Sequence, residues 1–283
     1  MPSAALPFIT EPARDVAGWV RRFDPSTLPV LAETAAAIAD LVDHEDSVDA
    51  HMLTETVAAD PLLTLKLLSH VAQLRRSRDA DTRGDPETVT AALVMLGMGP
   101  FFRHFGALPS VEDALADEPA ALEGFRAVMQ RSHRAANFAI SFAVHRMDHD
   151  APVIHEAALL HDFAELLLWL RAPQLALQIQ RAQQADPTLR SAAVQRALLN
   201  VELADLQHAL MLAWRLPPLL VRISDDKHAD SAQVRNVLLA IRVARHSSQG
   251  WDNAALPDDV RDIAALLNLG ETPALQLLRD IDV

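Results

Sequence analysis

Segment after segment of this chain carries apolar residues at i, i+3, i+4 and i+7, and the segments are cut by prolines or short polar turns. The most regular stretches run from about Glu118 to Met147 and from Val153 to Leu170. A stripe of that period buries one face of a helix against other helices. Ala and Leu dominate the composition, with 8 Gly and no Tyr, which suits packed helices rather than sheets. The expected fold is therefore all-α. At 283 residues the chain can bury a sizeable core, as one elongated domain or as two packed lobes.

Residues 1–22 read as a Pro-containing lead-in. Leu28-Pro29 opens a helical run through Val42, and a second helix is expected from Ser47, its N-cap, to Asp60. Pro61 then takes the first position of a third helix, PLLTLKLLSHVAQL. The polar SRDADTRGDP, residues 77–86, reads as a loop before PETVTAALVMLG, which stops at Gly97. A break from Leu108 to Pro119 separates this part from the longer helices. Shorter ones follow, divided at Pro173, Asp186-Pro187, Leu216-Pro217-Pro218, Gly250 and Pro257, and ETPALQLLRDIDV closes the chain. The expected organisation is a main domain of residues 23–250, with lobes 23–108 and 118–250, and a helical extension 251–283 packed on it.

A formal net charge of -13 opposes the phosphate attraction on which nucleic-acid binding depends. The absence of cysteine excludes disulfides, thiolate metal sites and a cysteine nucleophile. MPSAALPFITEPARD has neither the basic start nor the apolar stretch of a leader. The most apolar stretch, Ala157 to Leu170, is interrupted by His161, Asp162 and Glu165, short of a membrane span. A cytoplasmic protein without direct nucleic-acid or membrane partners is expected.

Chemistry concentrates at His161 and Asp162 in ALLHDFAELLLW, two good metal ligands in an apolar setting where burial is costly without partners. Read as one helix, the stretch points adjacent side chains about 100° apart, so both reach one metal only near the helix edge. His133 on the preceding long helix is a candidate third ligand. The same three residues also suit a hydrogen-bonded structural element tying helices together. His145 and His149 share a helical spacing but lie at a polar end, where capping suffices. Asp225, Asp226, His228 and Asp230 fit a solvated turn, and Trp169 and Trp214 fit core positions. Gly97-Met98-Gly99 lacks the strand and the downstream glycine of a phosphate loop.

In order along the chain, LPVLAETAAAIADLV, VAADPLLTLKLLSHVAQ, TAALVMLGM, SHRAANFA and AALLHDFAELLL resemble successive motifs of the HDOD family over about residues 26–250. The resemblance implies an N-terminal helical lobe packed on a lobe like that of HD phosphohydrolases, and a role in bacterial signalling. His133, His161 and Asp162 match the first three metal positions of HD enzymes, where metal activates water for attack on a phosphoester. Later positions depart from the pattern: Leu203 and Gln207 stand where a His and a Gly are usual, His208 is out of register, and the late Asp falls at Ile241. Asp225, Asp226 and His228 stand in for a paired His, and Phe163-Ala164-Glu165 replaces an Ile-Gly-Lys of active relatives. The expected metal site at His133, His161 and Asp162 is therefore vestigial, with no catalytic residue and no cofactor. The expected function is a non-enzymatic regulatory module that binds a signalling protein partner or a small ligand, with a homodimer allowed. The alternative is a divergent phosphohydrolase using Mn, Mg or Fe on a nucleotide or cyclic dinucleotide, and a third reading is a structural dimerisation unit.

Overall fold

A computed structural model describes residues 7–44, 49–77, 86–186 and 188–282. Among them no β-strand forms beyond an isolated parallel bridge between Val30 and Ser110. The helices are α1 (Val16–Val20), α2 (Ala32–Asp43), α3 (Ala50–Ala58), α4 (Pro61–Ser77), α5 (Val89–Leu96), α6 (Met98–Phe105), α7 (Val111–Ala114), α8 (Pro119–His145) and α9 (Ala151–Leu159). They continue with α10 (Phe163–Arg171), α11 (Pro173–Ala185), α12 (Ser191–Leu199), α13 (Leu203–Ala213), α14 (Pro218–Ile223), α15 (Ala232–His246), α16 (Leu256–Leu267) and α17 (Glu271–Ile281). No helix of the described residues is long and apolar enough to cross a membrane.

The chain forms two compact units, each assembled from two stretches: Met1–Val128 with Asp162–Leu216, and Met129–His161 with Pro217–Val283. These units interleave in sequence.

In the first unit the Asp-Pro junction shows how sequence sets a helix start. Pro61 begins α4, where its missing N–H is no loss, and Asp60 Oδ1 accepts from the backbone N–H of Leu62 and Leu63 at 2.8 and 3.1 Å. Its Oδ2 accepts from Leu31 N at 2.8 Å, tying the start of α2 to the start of α4. Burial pushes this carboxyl above its usual range, and the N–H donors pull against that shift. Lys66, one helical face further on, is buried as well and donates from Nζ to the carbonyls of Ser26 (2.8 Å) and Leu28 (2.7 Å). The Pro-containing lead-in holds a short helix, α1. Asp15 caps α1, and the buried Trp19 donates from Nε1 to Leu199 O at 2.9 Å, packing α1 on α13. Gly97 adopts φ +82°, a conformation that ends α5 and lets α6 begin at once, burying Phe101, Phe102 and Phe105. The expected N-cap Ser47 and residues 78–85 of the expected loop lie outside the described residues; the side chain that caps α3 is that of Asp49, which accepts from Met52 N at 2.8 Å.

In the second unit α9 packs on α14 and α15, α15 packs on α16, and α16 on α17. Arg134 of α8 holds the end of the chain. Its Nε and Nη2 each lie 2.7 Å from a different carboxylate oxygen of Asp282, and Nη1 donates to Ala244 O at 2.8 Å. Asp259 of α16, wholly buried, lies 2.6 Å from Arg242 Nη2 and 2.5 Å from His246 Nδ1, both on α15.

Candidate functional site

The continuous helix expected from Val153 to Leu170 is instead two helices, and the His-Asp pair lies between them. α9 closes at Leu159 with Leu160 N–H returned to Glu156 O at 2.9 Å. The carbonyl of Asp162 then accepts from Glu165 N (3.0 Å) and Leu166 N (3.2 Å), so that Asp162 starts α10. The two polar side chains occupy the junction while Leu159, Leu160, Phe163 and Ala164 around them are buried, so packing on both sides, with no Pro or Gly between, sets the break. Helix-edge geometry therefore does not govern the pair, since neither residue is inside a helix.

His161 belongs to the second unit and Asp162 opens the second stretch of the first. The imidazole of His161, with its side chain 14% exposed, places Nε2 at 3.2 Å from Oδ1 of Asp226. Asp226 stands in a short 3₁₀ turn, Asp226–His228, that links α14 to α15. The preceding Asp225 builds that turn: Oδ1 accepts from Lys227 N at 3.0 Å, and Oδ2 lies 3.0 Å from His228 Nδ1. The solvated turn expected at Asp225–Asp230 is thus real, and one of its acids reaches back to the His-Asp pair.

His133 lies on α8, in the same unit as His161, and its electrostatic neighbour is His155 of α9. Burial pushes the His155 imidazole below its ordinary value, and His133 lowers it further. Glu156, beside it, is buried. On α15 Asn236 is fully buried, and neither of its amide atoms has a hydrogen-bond partner among the described residues. His155 and Asn236 were not singled out from the sequence. The signal for His155 was a lone His in the apolar stretch VIHEAALL, the same kind of signal that marked His161.

Two of the positions where the resemblance expects further ligands are apolar and buried. Leu203 lies in the core of the first unit and Ile241 in that of the second. Phe163 is fully buried, with its ring 5.6 Å from that of Trp214, so the segment after the pair is a packing element. Trp169 is also core. His145 Nε2 lies 3.2 Å from Leu267 O, which makes it a helix-end contact. Among the described residues, no group of three or more His, Cys, Asp or Glu side chains is arranged to hold a metal ion.

A model of the HDOD domain matches residues 28–229. Among solved structures, the chain is similar to the MmoQ response regulator of Methylococcus capsulatus str. Bath, with 23% identity over 89% of this chain and 98% of that one and a TM-score of 0.69. It is similar also to a virulence factor of Campylobacter jejuni subsp. jejuni, with 18% identity over 95% and 92% of the two chains and a TM-score of 0.63. An HDOD domain protein with unknown function from Geobacter sulfurreducens matches at 15% identity over 94% and 96%, with a TM-score of 0.50. At these identities the likeness is one of fold. No curated protein matches the chain.

Proposed function

Because the chain belongs to the HDOD domain family, we propose that it is a cytoplasmic bacterial regulatory module that binds a signalling partner protein, or a small ligand, and turns over no phosphoester. The observation that carries this reading is the absence, among the described residues, of any three-ligand group fit for a metal ion. HD-type hydrolysis needs such a group to generate the nucleophile and to neutralise charge on phosphate. The residues present do not fit that role. His161 faces a carboxylate in a turn, and Ile241, where a late Asp would stand, is a buried aliphatic residue. Substituting a metal ligand by a core aliphatic removes the charge that would balance the ion. The similarity in fold to a response regulator is consistent with a signalling role.

The test is a phosphodiesterase assay on bis(p-nitrophenyl) phosphate and on a cyclic dinucleotide, with Mn, Mg or Fe(II) supplied. The wild type is expected to give the same background as the His161→Ala and Asp162→Ala variants. Turnover that both variants abolish would overturn the proposal in favour of a divergent phosphohydrolase.

A further inference from the structure

We infer that His161 works as a latch: Asp226 holds Nε2, and the contact fastens the α14–α15 connection to the end of α9. The inference rests on the reading of the pair as non-catalytic and assigns it a task.

Three observations within the second unit carry it. First, the turn is built to present Asp226. Asp225 uses one carboxylate oxygen on Lys227 N and the other on His228 Nδ1, so the backbone of the turn is fixed from inside, and Asp226 is the acid left to reach across. Second, the contact closes a loop of packed elements. α9 already packs on α14 and on α15, and the His161–Asp226 contact ties the segment joining those two helices to the residue just past the end of α9. Third, the partners are 65 residues apart in sequence, so the contact restrains a long stretch of chain. An imidazole engaged by a carboxylate in this way is held in one orientation, the role a carboxylate commonly plays beside a functional histidine. Here the elements on either side are the ones positioned. Asp226 is 44% exposed, so the latch closes at the surface, where it can open without unfolding the core.

The experiment is a double-mutant cycle on the full chain, with His161→Ala, Asp226→Ala and the double variant, read by thermal unfolding and by amide hydrogen exchange across residues 224–231. Asp226→Asn, nearly isosteric, is included in case an alanine variant folds poorly. A latch predicts that each single variant speeds exchange in 224–231 by about two- to fivefold, the range of a part-exposed polar contact, and that the double variant adds nothing more. Strictly additive effects, or unchanged exchange in Asp226→Asn, would overturn it. A parallel titration with Mn(II) alone separates the remaining outcome: saturable uptake near one equivalent, lost in Asp226→Ala, makes Asp226 a metal ligand and overturns the latch. Failure of the underlying non-catalytic reading shows separately, as turnover, which the cycle does not measure.

Discussion

A Cβ placed on Gly124 of α8 would lie 2.5 Å from Cζ2 of Trp169 on α10. The indole is packed against a helix backbone that has no side chain at that position, and the large flat ring fills what any other residue would occupy. Gly124 costs helix propensity and is kept for this approach.

Gly124→Ala is accordingly expected to destabilise by about 1–3 kcal/mol, despite the better helix former, because the displaced ring belongs to a tightly packed core. Thermal unfolding checks the sign. Adding Trp169→Phe makes room at Gly124, so the double variant should lose less than the sum of the two single variants.

Alkaline titration offers an unusually clean measurement, because the sequence has two lysines, Lys66 and Lys227, and neither Tyr nor Cys. Burial lowers the Lys66 ammonium to about 8 from 10.5. Below that value both folded and unfolded chains carry the proton. Between about 8 and 10.5 the unfolded chain holds a proton that the folded one has released, so stability contributed by this group rises with pH across that window. At about 1.4 kcal/mol per pH unit the full gain is on the order of 3 kcal/mol. Urea unfolding at several pH values should show the rise in the wild type and a flat profile in Lys66→Met. At neutral pH Lys66→Met removes a buried charge but strands the carbonyls of Ser26 and Leu28, so its net cost is expected to be modest, about 1–3 kcal/mol.

The two-pronged contact of Arg134 with Asp282 predicts a distinction between substitutions. Arg134→Lys keeps the charge and loses the fork geometry, and should destabilise by about 1–2 kcal/mol. Arg134→Ala should cost more, about 2–4 kcal/mol, since Asp282 and the carbonyl of Ala244 lose their shared partner. Hydrogen exchange should localise the effect to α17 and the end of α15.

Much of the helical layout was legible because prolines mark starts directly: Pro61, Pro173, Pro218 and Pro257 each fall at the first or second position of a helix. The junction at His161-Asp162 was not, because apolar residues flank the pair on both sides with no Pro or Gly between, and periodicity continues through a break made by tertiary packing. α1 escaped notice for another reason. It is five residues long, below what a period can reveal, and a contact with Leu199, 180 residues away, holds it in place. The same limit applies to the site. His161 was visible as a polar residue in an apolar run, but its contact with Asp226 depends on packing that no local pattern encodes.

The most direct test of the central claim is elemental analysis of the protein purified without chelator, before and after incubation with Mn(II) and Fe(II). A chain whose His-Asp pair serves structure and regulation retains metal far below one equivalent, and His161→Ala leaves that amount unchanged. Metal near one equivalent, lost on His161→Ala or Asp162→Ala, would contradict the account and make the pair part of a working metal centre.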